Sequence, residues 1–223
     1  MTDTLNAIAQ SLSADVRSLA TVSHNVANMS TPGYRAVRAV PDFDAALGLH
    51  VQVDQRDGGL SQTGRSFDLA LRGPGFFVVE RDGGLLLTRG GSFGRDAEGY
   101  LVTPGGDRLL STSGALQIAD GELRVDARGE LWQGTSNLGQ LQLVSPAEAS
   151  LLRPAGEGAF IYEGPITMFE GQVVQGALER ANVDPAGETI RLMETTRHVE
   201  SVQRAISIYD KAMDVGINRL GDN

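Results

Sequence analysis

Both ends of this chain repeat every seven residues. Leu5, Leu12, Leu19 and Val26 share that spacing near the N-terminus, and Leu192, Val199, Ile206, Met213 and Leu220 share it near the C-terminus. An apolar repeat of this period belongs to a helix with a coiled-coil seam. The spacing predicts one helix from about Thr4 to Met29 and another from about Pro185 to Leu220. In the first, Ile8, Val22 and Met29 add a second row three residues on, interrupted by Asp15. A buried Asp needs a partner, so Asp15 marks an edge of the seam or a contact that sets register. In the last helix the second row is Thr195, Val202, Tyr209 and Gly216. Its small and mixed side chains let another helix approach closely.

The middle of the chain reads differently. From Phe67 to Glu170, short apolar runs alternate with Gly-rich turns, many of the 28 glycines falling here. The runs are Phe67–Leu71, Phe76–Glu80, Leu85–Arg89, Tyr100–Thr103, Arg108–Leu110, Leu116–Ile118, Glu122–Val125, Glu130–Gln133 and Gln140–Val144. Turns recur roughly every 8 to 12 residues, which predicts an antiparallel sandwich or irregular barrel. Asp82-Gly83-Gly84, Ala119-Asp120-Gly121 and Ala127-Arg128-Gly129 suit hairpins. Phe76 and Phe77 should point to opposite faces, one ring entering the core and the other left for a neighbour or a hairpin. Ser145 to Gly176 reads as a loose stretch.

The expected class is therefore α+β, with long amphipathic, coiled-coil-like helices at both ends flanking a central antiparallel β-domain. The expected organisation is 1–34 for the first helix and its turn, 35–66 for a linker with a strand at Val51–Asp54, 67–176 for the β-domain and 177–223 for the last helix.

Composition removes several functions. A net charge of −9 disfavours nucleic acid and anionic membrane as partners. The absence of cysteine excludes disulfides and thiolate zinc sites. No apolar stretch is long enough to insert in a membrane, and Met1-Thr2-Asp3 opens no secretory signal. Any export is expected to use another route. His24, His50 and His198 have no metal-ligand spacing, no phosphate loop occurs, and no cofactor is expected. Gly90-Gly91-Ser92-Phe93-Gly94 has the nucleophile-elbow spacing, but the residues after it read as a turn into a strand, where the elbow needs a helix. Trp132 reads as core.

The first helix ends in a more specific pattern. Pro32 stops it, Gly33 permits positive φ, and the amides of Asn25 and Asn28 sit on its last turn. Asn25, Asn28, Thr31, Gly33 and Tyr34 match the Asn-x-x-Asn-x-x-Thr-x-Gly-Tyr/Phe pattern of the bacterial flagellar axial proteins, the rod and hook family, although His24 stands where that family has a further Asn. The start of the β-region resembles the same family through Gln62-Thr63-Gly64, Asp68-Leu69-Ala70-Leu71, Gly73-Pro74-Gly75-Phe76-Phe77-Val78-Val79, Thr88-Arg89, Gly91, Phe93, Asp96, Gly99 and Leu101-Val102. Gly176-Ala177-Leu178-Glu179-Arg180-Ala181-Asn182-Val183 is similar to the lead into its C-terminal helix, with Ala181 replacing a Ser. Thr195, Arg197 and Glu200 continue the likeness, and Val199 replaces an aromatic residue.

The resemblance implies a non-enzymatic structural subunit of the flagellar basal-body rod. Its terminal helices would assemble into the torque-transmitting axial tube, and the short linker is nearest the proximal-rod type. Partners would be other rod subunits and the flagellar type III export apparatus. The assembly surface implied is Leu5, Ile8, Leu12, Leu19, Val22 and Val26 with Asn25, Asn28, Thr31, Gly33 and Tyr34 at one end. At the other it is Asn182, Leu192, Val199, Val202, Ile206, Tyr209, Met213 and Leu220. A distal rod subunit is the alternative within the family. A β-domain binding module whose helices pack on themselves is the alternative outside it.

Overall fold

A computed structural model describes residues 2–42 and 48–221, with side chains at 6, 8–40, 52–209 and 211–212. Helix α1 spans Thr2–Ala27 and helix α2 spans Pro185–Gly221. Pro185 supplies the pre-set φ of a first helical residue, and the Asp184 carboxylate accepts the Ala186 N–H at 3.1 Å, capping α2. Within the described residues the chain divides into two compact units. One contains 2–26, the outer part of a strand pair (Val37–Asp42 with Gly48–Val53), and Asp184 with α2; the other contains 27–37 and 52–183.

The second unit is antiparallel β in every pairing among its described strands. Its main sheet runs Arg153–Gly156, Ala159–Ile161, Gly84–Thr88, Phe76–Arg81, Arg108–Ser111, Leu101–Val102, Gly94–Arg95. Leu143–Pro146 branches from Phe76–Arg81 and carries Ile166–Met168. A three-stranded sheet joins Leu123–Val125, Glu130–Gln133 and Ser136–Gln140. Two small ladders tie late strands to early ones: Gln172–Gln175 to Leu69–Arg72, and Ala177–Glu179 to Leu60–Gln62.

Both faces of Phe76–Arg81 are buried. Phe77 lies in a cluster with Leu69, Leu101, Leu109 and Leu131, and meets Phe93 edge-on at 5.4 Å. Phe76 lies in a second cluster with Val37, Val53, Val144 and Leu152, and meets Phe160 at 5.8 Å. The expectation that one ring stays free is thus corrected. The residues just after α1 and the Val53 strand cover the second face, which pattern reading had left bare. The stretch after Ser145 is also more ordered than expected, holding four short strands. Leu116 and Ile118 are buried, but their stretch joins its neighbours by single bonds and one bridge at Gln117, without forming a ladder. Trp132 is half-buried.

The class is α+β, but the long amphipathic, coiled-coil-like helices are corrected. Each helix also carries apolar residues outside its inward stripe, so the amphipathicity is modest. On α1 the residues turned inward are Ile8, Ser11, Leu12, Asp15, Ser18, Val22 and Asn25, while Val16, Leu19 and Val26 are exposed. One of the two heptad rows has moved back by one position, from Leu19 and Val26 to Ser18 and Asn25. Small and polar side chains occupy that row, and Leu19 and Val26 face out. On α2, Thr195, Val199, Val202, Ile206 and Tyr209 are half-buried, and Ile190, Leu192, Met193 and Ile208 are exposed. Asp15, the residue that broke the repeat, accepts His198 Nδ1 of α2 at 2.8 Å. Among the described residues no helix is long and apolar enough to cross a membrane.

Candidate functional site: a charged hub at the helix roots

Four charged side chains from distant parts of the chain meet where α1 ends and the approach to α2 begins. Arg89 follows the strand Gly84–Thr88, Glu179 closes the strand Ala177–Glu179, Arg35 follows the turn after α1, and Asp57 lies in the loop between Val53 and Leu60. Arg89 is 1 % exposed and Glu179 2 %. The Arg89 guanidinium spends all five N–H bonds on protein. Nε donates to Glu179 at 2.7 Å, Nη1 to the Gly73 and Gly75 carbonyls at 2.9 and 2.6 Å, and Nη2 to Asp57 and the Leu71 carbonyl at 3.1 and 3.2 Å. A buried guanidinium is tolerable only with this degree of satisfaction. Burial still pushes the Arg89 pKa down, opposed by the Glu179 charge and reinforced by the nearby Arg35 cation.

Glu179 divides its carboxylate between two cations. One oxygen takes Arg89; the other lies 3.2 Å from Arg35 Nη2 and accepts the Gly58 N–H at 2.8 Å. Arg35 also donates to the carbonyls of Gln55 and Arg56 and to Asp57 at 2.9 Å; its Nε is buried without a partner. Burial raises the pKa of Asp57, but the Arg35 and Gly73 donors and the charges of Arg89 and Arg35 outweigh it and hold the carboxyl below its ordinary value.

The backbone closes the same junction. The Glu179 carbonyl accepts the Gly33 N–H at 2.7 Å. Gly33 has φ +71, and a Cβ there would lie 2.2 Å from the Arg89 carbonyl, so both the conformation and the space require glycine. Asn182 accepts the Ala36 N–H at 2.6 Å and donates to the Asp54 and Arg56 carbonyls at 3.1 and 2.7 Å, while its own N–H donates to the Tyr34 carbonyl at 3.2 Å.

The expected site residues fall into three groups. Gly33, Tyr34 and Asn182 belong to the hub. Thr31 and Asn28 form the turn leading to it, Thr31 Oγ1 donating to Asn28 Oδ1 at 3.2 Å. Asn25 and Val22 are buried on α1, Ile8 and Leu12 are half-buried, and Leu19 and Val26 are exposed. On α2, Val199, Val202, Ile206 and Tyr209 are half-buried and Leu192 is exposed. The side chains of Leu5, Met213 and Leu220 lie outside the described residues, as does that of His50. Ser92 bridges to Asp68, with Oγ 3.5 Å from its carboxylate, and leads into the strand Gly94–Arg95; the helix an elbow needs is not there. Sequence reasoning missed Arg35, Asp57, Arg89 and Glu179 as a cluster. Arg89 and Glu179 each stood in a quoted motif, and that was the available signal.

A β-body that gathers the roots of both terminal helices into one buried charge cluster is the design of a structural subunit held by its ends. Comparison with known proteins agrees. Residues 5–35 match the flagella basal body rod protein family, 70–162 the flagellar hook protein FlgE/F/G D1 domain, and 174–220 the flagellar basal body rod FlgEFG protein C-terminal family. The chain is 30% identical over 226 residues to the flagellar basal-body rod protein FlgF of Caulobacter vibrioides, covering 92% of each. It is 28% identical to FlgF of Mesorhizobium japonicum, covering 99% of each. It is 31% identical to FlgG of Buchnera aphidicola from Acyrthosiphon pisum, covering 86% of this chain and 90% of that one. The chain belongs to the flagellar basal-body rod protein family. Its function is that of a FlgF-like structural subunit of the rod.

Proposed function

We propose that the chain works mechanically, packing its terminal helices against those of neighbouring rod subunits to build the torque-transmitting axial tube, in the proximal part of the rod. The observation that carries this reading is the outward apolar row on α1. Val16, Leu19 and Val26 are 58 %, 39 % and 39 % exposed while Val22 on the same helix is 3 % exposed. Burying such a row on another subunit recovers about 25 cal/mol for each Å² removed from water. Contacts between unlike surfaces extend a helical assembly without closing it. Residues 1–34 and 177–223 form the inner layer in this scheme and 67–176 the outer one, with 35–66 as connector. The subunit is non-catalytic and leaves the cell interior through the flagellar export apparatus. It neither inserts in membrane nor binds nucleic acid.

A motility and rod-assembly assay on a chain truncated before Asp184 tests this. Loss of rods is expected, and normal rods would sink the proposal. The distal position is the second reading, favoured by the FlgG relatives. Complementation separates the two. The chain should restore motility to cells lacking their FlgF-type subunit and fail in cells lacking FlgG.

A further inference from the structure

We propose that residues 177–182 are a template on which the N-terminal root of the chain folds, so that the two ends close as one cooperative unit. The inference goes beyond the rod assignment and stands on the hub alone. Residues 33–36 bond to the late segment and to the 54–57 loop. The Gly33 N–H ends on the Glu179 carbonyl, and the Ala36 N–H ends on the Asn182 side chain. The Tyr34 carbonyl accepts from the Asn182 backbone. Arg35 reaches Glu179, Asp57 and the carbonyls of Gln55 and Arg56.

The loop that would otherwise support this segment depends on the same late residues. Asn182 holds the Asp54 and Arg56 carbonyls, Glu179 holds the Gly58 N–H, and the Arg180 N–H donates to Gly59 at 2.8 Å. Leu60–Gln62 then pairs directly with Ala177–Glu179. Asp57 links the loop further, to Arg89 and to the Gly73 N–H. Two early segments, 33–36 and 54–62, are thus laid against one late segment. That late segment is itself anchored through the buried Arg89–Glu179 pair. Glu179 and Asn182 are positioning residues in this scheme. Without them Arg35 and Arg89 share only Asp57 as a counterion, and the Gly33 and Ala36 N–H groups lose their acceptors.

Amide hydrogen exchange on the full-length chain tests the proposal. Gly58 is the deciding amide, because it bonds to Glu179 and not to Asn182. In Asn182→Ala, exchange at Gly33 and Gly58 is expected to quicken at least about tenfold along with Ala36, while Val79 and Leu87 in the main sheet hold their rates. Acceleration confined to Ala36 would overturn the template, reducing Asn182 to one local contact. Unsubstituted protein in mild denaturant gives an independent reading. The exchange isotherms of Gly33, Ala36, Gly58 and Arg180 are expected to merge into one opening; separate isotherms would refute cooperativity.

Discussion

At the scale of single residues, Glu179 matters most, because three segments meet on it. Removing its carboxylate in Glu179→Ala leaves Arg89 as a buried cation with one counterion, 3.1 Å away and 44 % exposed. Breaking a buried pair in this way costs about 3–5 kcal/mol. Urea unfolding of the variant is expected to show a loss of that size, and a loss under about 1 kcal/mol would mean the pair is replaceable by water. Asp57 gives a pH signature. Its folded pKa lies below the ordinary value of 3.8, so its contribution is complete above that value and is lost as pH falls through it toward the folded one. Asp57→Asn should therefore lower stability at neutral pH and flatten the acid limb below about pH 4. A variant with an unchanged acid limb would contradict the assignment. These charges were hidden in the sequence for a physical reason. A lone Arg or Glu is ordinarily a solvated surface group, and no periodicity links positions 89 and 179. Gly33 was legible because turn chemistry is local, and Asn182 was named only through the family resemblance.

At the scale of elements, α1 carries two apolar sectors with different duties. Val22→Ala empties a buried position and should cost the isolated chain about 2 kcal/mol. Leu19→Ala touches a residue 39 % exposed and should shift the monomer's stability far less, while weakening rod assembly. Thermal melts read the first effect and motility halos the second; equal monomer losses for both would undo the division. The repeat placed both helices, and on α2 the half-buried residues follow its rows, but on α1 the inward face lies elsewhere. Heptad counting favours leucine and valine, whereas the close packing of α1 uses Ser11, Ser18 and Asn25 and the Asp15–His198 contact. Among the strands, Glu130–Gln133 was readable to the residue because glycines bound it, Gly129 before and Gly134 after. Arg153–Gly156 and Ile166–Met168 were not. One contains a proline and a glycine, and all three residues of the other are exposed, so neither shows the alternation of a half-buried strand.

At the scale of the whole molecule, the β-unit has regions remote from the helix roots in the bonding pattern. The turn at Gly134–Thr135, between Glu130–Gln133 and Ser136–Gln140, is exposed and meets nothing around Gly134. A short Gly-Ser insertion after Gly134 is expected to change Tm by less than about 4 °C and to preserve motility. Loss of motility with an unchanged melt would show that this hairpin touches a neighbour.

The five-way grip on Arg89 has one more consequence. Force entering the β-body from α1 arrives at residues 33–36, and force from α2 arrives at 182 and 179. The Arg89 guanidinium holds Glu179 and Asp57, and both of these hold Arg35, so a pull between residues 33–36 and 179–182 passes through this charge cluster. The hub acts as a rivet between those two segments. Under load such a subunit should fail first at Arg89–Glu179, as a sudden slip, with the main sheet still intact.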